Sequence, residues 1–193
     1  MGALARAYDL QLPLERAPLA AAAELAAAGP RDRLLDVATG TGGLLRELVR
    51  RGARPAEVVG VDRSRSALAL AAERVPRGWR LLAADARRLP FADARFDVVC
   101  AAYLLHLLAP GERAAVVNEI ARVLAPGGRA VTVTVGSRRA LSRRALSALP
   151  RSSGLRPLEP RSELAAAGLA PVRGAFVNAG WPSWCVLATR GGA

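Results

Sequence analysis

The sequence predicts an α/β protein in which a mostly parallel β-sheet is covered by helices on both faces. Short apolar or β-branched runs alternate with segments of helical period through the first two thirds of the chain. Most of these runs are almost continuously apolar, as is typical of strands that are buried on both faces. Two further runs near the end of the chain follow one another without an intervening helix, which predicts an antiparallel addition to the sheet.

The first predicted element is a helix over Leu14–Ala28, which ends at Gly29 and Pro30. Seven strands follow from the apolar pattern, namely Leu34–Val37, Val58–Val61, Trp79–Ala83, Phe96–Ala101, Ala130–Val135, Ala170–Asn178 and Trp184–Ala188. Apolar residues at helical spacing predict four further helices between these strands, namely Leu44–Arg51, Ala67–Arg74, Arg113–Leu124 and Arg161–Ala167.

The composition indicates a globular protein with a strongly basic balance. Of the 193 residues, 52% are hydrophobic and only 4% are aromatic, so the core consists mainly of Ala, Leu and Val. All 28 basic residues are Arg, and with 16 acids they give a net charge of +12. This excess is typical either of a surface for an anionic partner, such as nucleic acid or a membrane, or of a solvated Arg-rich surface. We favour the solvated surface, because the absence of Lys reflects GC-rich coding and few aromatic rings are available to stack on bases.

Cysteine usage and apolar segments bear on the compartment. Cys100 and Cys185 lack metal-ligand spacing, so we expect free thiols in a reducing compartment, with Cys100 buried in a strand, and no metal. No targeting signal is visible, and Leu19–Ala28 is too short to span a bilayer. We therefore expect a soluble cytoplasmic protein that is a monomer or a homodimer. The Arg-, Ser- and Pro-rich stretch from Ser137 to Pro160 predicts a mobile connection or a short lid.

The most informative segment is an apolar run that ends in an acid and then breaks into glycines, Leu34-Leu35-Asp36-Val37-Ala38-Thr39-Gly40-Thr41-Gly42. Gly40 and Gly42 carry no Cβ, so backbone N–H groups at the start of the next helix can approach a ligand closely. Asp36 can accept a hydrogen bond from a ligand amine. The spacing excludes a Walker A loop, which needs a Lys that this chain does not contain.

Acids follow the first three predicted strands, at Asp36, Asp62 and Asp85. In a doubly wound sheet the carboxyl ends of adjacent strands meet at the ligand crevice, so these side chains converge. An acid after the second strand can accept hydrogen bonds from both ribose hydroxyls, and one after the third can accept from an adenine amine. The alternative role for Asp62 or Asp85 is that of a helix N-cap.

Four segments in order resemble the motifs of the class I S-adenosylmethionine-dependent methyltransferases, in the branch that includes the ubiquinone and menaquinone biosynthesis C-methyltransferases. They are Leu35–Gly42, Gly60–Ser64, Asp85–Val99 and Glu119–Gly128. The resemblance implies a Rossmann-like, doubly wound, seven-stranded and mostly parallel sheet with an antiparallel C-terminal strand. The length of the chain predicts a single domain over residues 1–193, with an N-terminal helical segment (1–29), a cofactor-binding core (30–135) and a substrate-side segment with the closing strands (136–193).

The same resemblance implies S-adenosylmethionine as cofactor and S-adenosylhomocysteine as product. Asp62 would bind the ribose hydroxyls, Arg63 would flank the adenine, and Asp85 would meet the adenine amine. The remaining predicted cofactor contacts lie on the methionine and ribose side, at the adenine ring and below the sulfonium, and they are Asp36, Ala38, Thr39, Gly40, Gly42, Ala86 and Ala101.

Methyl transfer mainly requires alignment of the nucleophile and, where needed, removal of a proton. His106 is the single histidine of the chain, and its ordinary pKa of about 6.5 suits a general base. A packing role for this ring within its Leu-rich surroundings is at least as well supported. Tyr103 is either a contact to substrate or cofactor, or an aromatic residue of the core or rim.

Missing signatures narrow the methyl acceptor. The chain lacks the Asn-Pro-Pro-aromatic signature of amino-directed enzymes, the Lys-containing tetrad of ribose methylation and the Pro-Cys pair of cytosine C5 methylation. A dinucleotide site is disfavoured because the three-glycine fingerprint is incomplete. We therefore expect a small hydrophobic or aromatic substrate, with walls from Tyr8–Leu25, Tyr103–Leu108 and the region from Ser137 to Trp184. Two alternatives are an RNA methyltransferase that uses Arg138–Arg156 as a phosphate track, and a protein that binds the cofactor without turnover.

Overall fold

The computed structural model describes residues 12–137 and 157–192. The strands of this part are β1 (Arg33–Val37), β2 (Glu57–Asp62), β3 (Arg80–Ala83), β4 (Phe96–Ala102), β5 (Leu124–Val135), β6 (Leu169–Val177) and β7 (Ser183–Arg190). The helices are α1 (Leu12–Ala26), α2 (Gly43–Arg50), α3 (Arg65–Ala72), α4 (Pro110–Val123) and α5 (Arg161–Ala166), and a 3₁₀ turn covers Leu105–Leu107.

The seven strands form one sheet in the order β3-β2-β1-β4-β5-β7-β6. The first five strands of that order run parallel, β7 is antiparallel to β5, and β6 is antiparallel to β7. The predicted fold class is therefore confirmed. The order reverses at β1, which pairs with β2 on one side and β4 on the other, so the crevice at the carboxyl end of β1 is the expected ligand site.

Alternation along each strand divides the apolar side chains between two clusters. On β1, Leu34 belongs to the cluster that includes α1 and α2, whereas Leu35 belongs to the cluster that includes α4 and α5. Both leucines are fully buried. Helices thus cover both faces of the sheet, as the near-continuous apolarity of the strands predicted.

Strand β5 begins at Leu124, earlier than the predicted start at Ala130, because the strand contains a bulge. Leu124 pairs with Phe96 and the next pair is Arg129 with Val98, so the residues from 125 to 128 lie outside the regular ladder. The predicted helix Arg113–Leu124 and the predicted strand start at Ala130 therefore leave out the first residues of β5. Observed and predicted ends of the other elements differ only slightly.

A proline fixes how α1 docks onto the last hairpin. Pro18 lies inside α1 and has no backbone N–H, so the Leu14 carbonyl is free of its usual helical donor. That carbonyl instead accepts a hydrogen bond from the Trp181 N–H, at 2.8 Å, in the turn between β6 and β7. The Cys185 thiol on β7 donates to the Pro18 carbonyl at 3.5 Å. The first described helix is thereby tied to the last two strands.

The predictions about the cysteines can be compared with the structure, whereas those about the lid and the Arg-rich track concern mainly residues that the structure does not describe. Cys100 and Cys185 are both buried and unbridged, as expected. Within the described ranges, no helix combines the length and apolarity needed to cross a membrane. The predicted lid from Ser137 to Pro160 and the Arg138–Arg156 track lie almost entirely outside the described residues.

The α1 docking predicts an unequal response to two glycine substitutions. Gly180 has φ +78° and a Cβ there would overlap the Leu14 carbonyl, whereas Gly52 has φ +74° and open space around it. We expect Gly180→Ala to lower the free energy of unfolding by about 3 kcal/mol and Gly52→Ala by about 1 kcal/mol, since only the first adds a clash to the backbone strain. Urea denaturation measures both values, and equal losses would contradict the docking contact.

Candidate active site

A cleft of about 550 Å³ opens at the carboxyl ends of β1, β2 and β4. Most of the predicted cofactor contacts line it, together with Tyr103, and these are Asp36, Ala38, Thr39, Gly40, Asp62, Arg63, Asp85 and Ala86. The structure therefore brings together residues that are widely separated in sequence, as the doubly wound topology requires. The volume lies within the range of small-molecule sites.

Three predicted residues do not line the cleft. Gly42 is the N-cap of α2, with φ +84°, and a Cβ there would press on Val75 and Ala71, so this glycine serves the packing of α2 against α3. Ala101 points into the core, because side chains alternate along β4, and Ala102 lines the cleft instead. The third is His106.

Asp36 is the most deeply buried acid of the site, with 1% of its surface exposed. One oxygen, Oδ2, accepts a hydrogen bond from the Thr39 hydroxyl at 2.7 Å. The other, Oδ1, has no partner within the described part of the chain. Burial raises the pKa of Asp36 to about 7, and the neighbouring charge of Asp62 adds to this shift. A buried carboxylate oxygen without a donor is costly unless a ligand supplies one.

Asp62 organises the loop after β1. Its two oxygens accept hydrogen bonds from the backbone N–H groups of Gly40 at 2.9 Å and Ser64 at 2.8 Å. Ser64 is the N-cap of α3, because its side chain accepts from the Ala67 N–H. The alternative N-cap role for Asp62 is therefore wrong. Each Asp62 oxygen retains a lone pair for a further donor in the cleft.

Asp85 lies at the far end of the cleft in an exposed ion-pair network. The Arg87 guanidinium donates to both Asp85 oxygens and, at 2.8 Å, to Glu112. These hydrogen bonds lower the pKa of Asp85 to about 2. The groups are too exposed for the pairs to add much stability, but the carboxylate stays ionised at any physiological pH. Asp85 accepts from the Arg87 N–H in a turn and no helix follows, so it is not an N-cap either.

Tyr103 is held in a strained backbone conformation beside the cleft, with φ +56°. The Ser183 hydroxyl donates its proton to the Trp181 carbonyl at 2.8 Å, so in the 3.0 Å contact between Tyr103 and Ser183 the phenol must be the donor. Burial raises the pKa of the phenol well above its usual value. Tyr103 therefore offers the cleft only acceptor lone pairs and is not ionised at neutral pH.

His106 lies in the 3₁₀ turn after β4, with 6% of its surface exposed. Burial lowers its pKa to about 4, and the charge of Arg113 acts in the same direction. Its Nδ1 has no hydrogen-bond partner among the described residues, and its ring packs edge-on against Tyr103. These observations favour the packing role over the general-base role, which stays a prediction.

Helix α1 contributes residues that the sequence analysis did not single out. Glu15 and Leu19 line the cleft from the side opposite the glycine loop. Burial raises the pKa of Glu15 to about 7. No local motif marks Glu15, because its position depends on the docking of α1 onto the last hairpin. Within the described residues, no group of His, Cys, Asp and Glu side chains could hold a metal ion.

Comparison with known proteins identifies the class. A family described as "Methyltransferase domain" matches residues 34–128. A demethylmenaquinone methyltransferase from Thermus thermophilus is 45% identical over 131 residues, which cover 66% of this chain and 51% of that protein. The biotin biosynthesis bifunctional protein BioHC from Cellvibrio japonicus is 35% identical over 136 residues, which cover 70% of this chain and 26% of that protein. The chain thus spans about half of the first relative and about a quarter of the second.

Solved structures share the fold. A putative methyltransferase in complex with the Haloferax volcanii Trm112 activator superposes with a TM-score of 0.80 at 17% identity, covering 100% of this chain and 95% of that one. A Burkholderia thailandensis 1,6-didemethyltoxoflavin-N1-methyltransferase with bound S-adenosylhomocysteine superposes with a TM-score of 0.67 at 22% identity. The superposition covers 90% of this chain and 78% of that one.

These comparisons support a class I S-adenosylmethionine-dependent methyltransferase. Within that class its sequence is similar to the demethylmenaquinone and the ubiquinone/menaquinone biosynthesis C-methyltransferases, as the four motifs indicated.

The raised pKa of Asp36 predicts that the stability of the folded chain depends on pH. Its pKa in the folded chain, about 7, lies above the ordinary value of 3.8, so the folded chain binds the extra proton between these values. The free energy of unfolding therefore falls as the pH rises from about 4 to about 7 and then levels off. Glu15 acts in the same direction, so Asp36→Asn should flatten the profile only in part.

Urea denaturation at pH 5 and pH 8 measures this slope. Asp93→Asn is the matched control, because Asp93 is exposed and its contact is a surface ion pair with Arg122. An unchanged slope in Asp36→Asn would contradict the assignment.

Proposed function

We propose that this chain binds S-adenosylmethionine in the cleft and transfers its methyl group to a small hydrophobic or aromatic molecule. The observation that carries the proposal is the unpartnered oxygen of buried Asp36, which lines a ligand-sized cleft at the topological switch point. An orphaned, desolvated carboxylate fits a ligand that brings a positive charge and N–H donors.

The remaining contacts of the proposed cofactor follow the same cleft. Asp62 keeps lone pairs for the ribose hydroxyls, and the ionised Asp85 suits the adenine amine, with Ala86 and Arg63 beside the ring. The other proposed contacts are Ala38, Thr39 and Gly40, whereas Gly42 would act through the shape of the loop and Ala101 from below the cleft floor. When bound, S-adenosylmethionine supplies an activated methyl group, so no residue of the chain needs to form a covalent intermediate.

The acceptor proposal is supported by the lining of the cleft. Apolar side chains after β4 and on α4 form one wall, namely Ala102, Leu104, Leu107, Leu108 and Val116. Among the described lining residues, five are acids (Glu15, Asp36, Asp62, Asp85 and Glu112) and two are cations (Arg63 and Arg87). This balance repels a phosphate backbone and favours a neutral, apolar acceptor over RNA. A quinol or a phenol is an acceptor of this kind. The names of the quinone methyltransferase relatives agree with such an acceptor.

The chain's own residues mainly align the reactants in this proposal. Tyr103 presents acceptor lone pairs and a neutral ring at the end of β4, and the apolar wall excludes water from the acceptor. The predicted domain layout over residues 1–193 is part of the proposal, and it is supported by the single sheet that joins all seven described strands.

Isothermal titration with S-adenosylmethionine tests the cofactor site. We expect Asp62→Ala to weaken binding at least about tenfold, because it removes charged acceptors of the ribose hydroxyls. Asp93→Ala, an exposed acid away from the cleft, should bind as the unmodified chain does. The cofactor proposal fails if the unmodified chain does not bind, or if Asp62→Ala binds equally well.

Turnover assays test the acceptor class and His106 together. Release of S-adenosylhomocysteine is measured with separate pools of quinols, phenols and RNA, and we expect it with a quinol or phenol pool. His106→Ala should change kcat by less than about threefold, because a buried ring with a pKa near 4 is a poor base at neutral pH. A loss of about a hundredfold in a chain with unchanged circular dichroism would instead assign the base role to His106. Turnover with RNA alone would reverse the acceptor proposal.

A further inference from the structure

Acidic and acceptor groups collect at one end of the cleft, and none of the described residues that line this end is a cation. Glu15 lines this end from α1, Asp36 from β1 and Tyr103 from the end of β4. The two lining cations, Arg63 and Arg87, follow β2 and β3 and lie on the far side of β1. Strand register supports the closeness of Asp36 and Tyr103, because Val37 pairs with Ala101 and β1 and β4 therefore end side by side.

We infer that Glu15 is a cofactor-binding residue whose carboxylate accepts a hydrogen bond from the α-ammonium group of the methionine part of S-adenosylmethionine. The inference rests on the proposed function and adds a contact from α1 to it. It assigns a ligand to a carboxylate that no motif of the chain marks.

The first support is the isolation of Glu15. This side chain is half-buried and makes no hydrogen bond or ion pair within the described residues. Other acids on or beside α1 do have partners: Glu24 contacts Arg51, and Glu47 contacts Arg50 at 2.8 Å. A partly desolvated carboxylate without a donor destabilises the free protein, and a cationic ligand relieves that cost.

The second support is the match between donors and acceptors. Tyr103, which lines the cleft, donates its phenol proton to Ser183, so its oxygen can offer only lone pairs to a further partner. Asp36 Oδ1 has no partner, and Glu15 lies close enough to Tyr103 for its charge to contribute to the raised pKa of that phenol. An ammonium group is a cation with three N–H donors and no acceptor, which suits this set of acceptors better than the single donor of a hydroxyl.

The third support is the rigidity of α1 at this position. Leu14, the neighbour of Glu15, accepts the hydrogen bond from Trp181, and its carbonyl sits against Gly180. Ser183, two residues after Trp181, accepts a hydrogen bond from the Tyr103 hydroxyl and donates one to the Trp181 carbonyl. One turn of the chain thus holds both Glu15 and Tyr103, so the two acceptors keep a fixed relation before any ligand binds.

The test compares three ligands that differ at the amino-acid end. S-adenosylhomocysteine carries the α-ammonium group, 5′-methylthioadenosine lacks the amino-acid part, and sinefungin carries an additional amine where the transferable methyl group would lie. In titration calorimetry, Glu15→Gln should weaken S-adenosylhomocysteine and sinefungin equally, by about tenfold, and change 5′-methylthioadenosine by less than twofold. Glu24→Gln on the exposed side of α1 is the matched control and should change none of them.

Each other outcome overturns the inference in its own way. Unchanged binding of S-adenosylhomocysteine would show that Glu15 does not contact the ammonium group. A loss confined to sinefungin would assign Glu15 to the transferring methyl group and its acceptor, and an equal loss with all three ligands would mean that the substitution displaces α1. Failure of the unmodified chain to bind any of the three would reject the proposed function and the inference with it.

Discussion

The pairing of β1 with both β2 and β4 is the constraint on which the rest of the site depends. Because the sheet order reverses at β1, the loops that leave β1 and β4 diverge and leave a crevice between them. The glycine loop closes one side of that crevice through the hydrogen bond from Gly40 to Asp62. The strained turn at Tyr103 forms another side, and Glu15 and Leu19 of α1 line a third. No single motif forms this cleft, since each wall comes from a different part of the chain.

The carboxylates at the two ends of the cleft differ in solvent exposure and in ion pairing. At the end that follows β3, Asp85 is exposed and paired with Arg87, so its charge is neutralised before a ligand arrives. At the opposite end, Asp36 and Glu15 are desolvated and lack a cation, so their charge is unfavourable until a ligand supplies one. This contrast gives the cleft a polarity. Such a polarity favours one orientation of a molecule that has a neutral ring at one end and a cationic centre at the other.

The sequence predicted the sheet, its parallel part and its antiparallel end because buried strands and amphipathic helices differ in period, and that difference is local. It also predicted Asp36, Asp62 and Asp85 as cleft residues, since strand ends are local features too. It failed where side-chain direction or docking decides the outcome. Ala101 and Ala102 differ only by alternation along β4. Glu15 reaches the cleft through the docking of α1, to which the bond between Leu14 and Trp181 contributes. Such contacts join residues far apart in sequence, and one sequence does not reveal them.

The hydrogen bond between Leu14 and Trp181 has a consequence for the order in which the chain acquires its structure. A nascent chain emerges N-terminus first, so α1 is synthesised long before its partner in the hairpin of β6 and β7 exists. The central parallel strands can assemble in the meantime and α1 can pack on α2 and β5, but the Leu14 carbonyl gains its bond to Trp181 only when β7 has paired between β5 and β6. The cleft is therefore completed late in folding. Its formation depends on contacts of long sequence separation, which are the slow ones in α/β proteins.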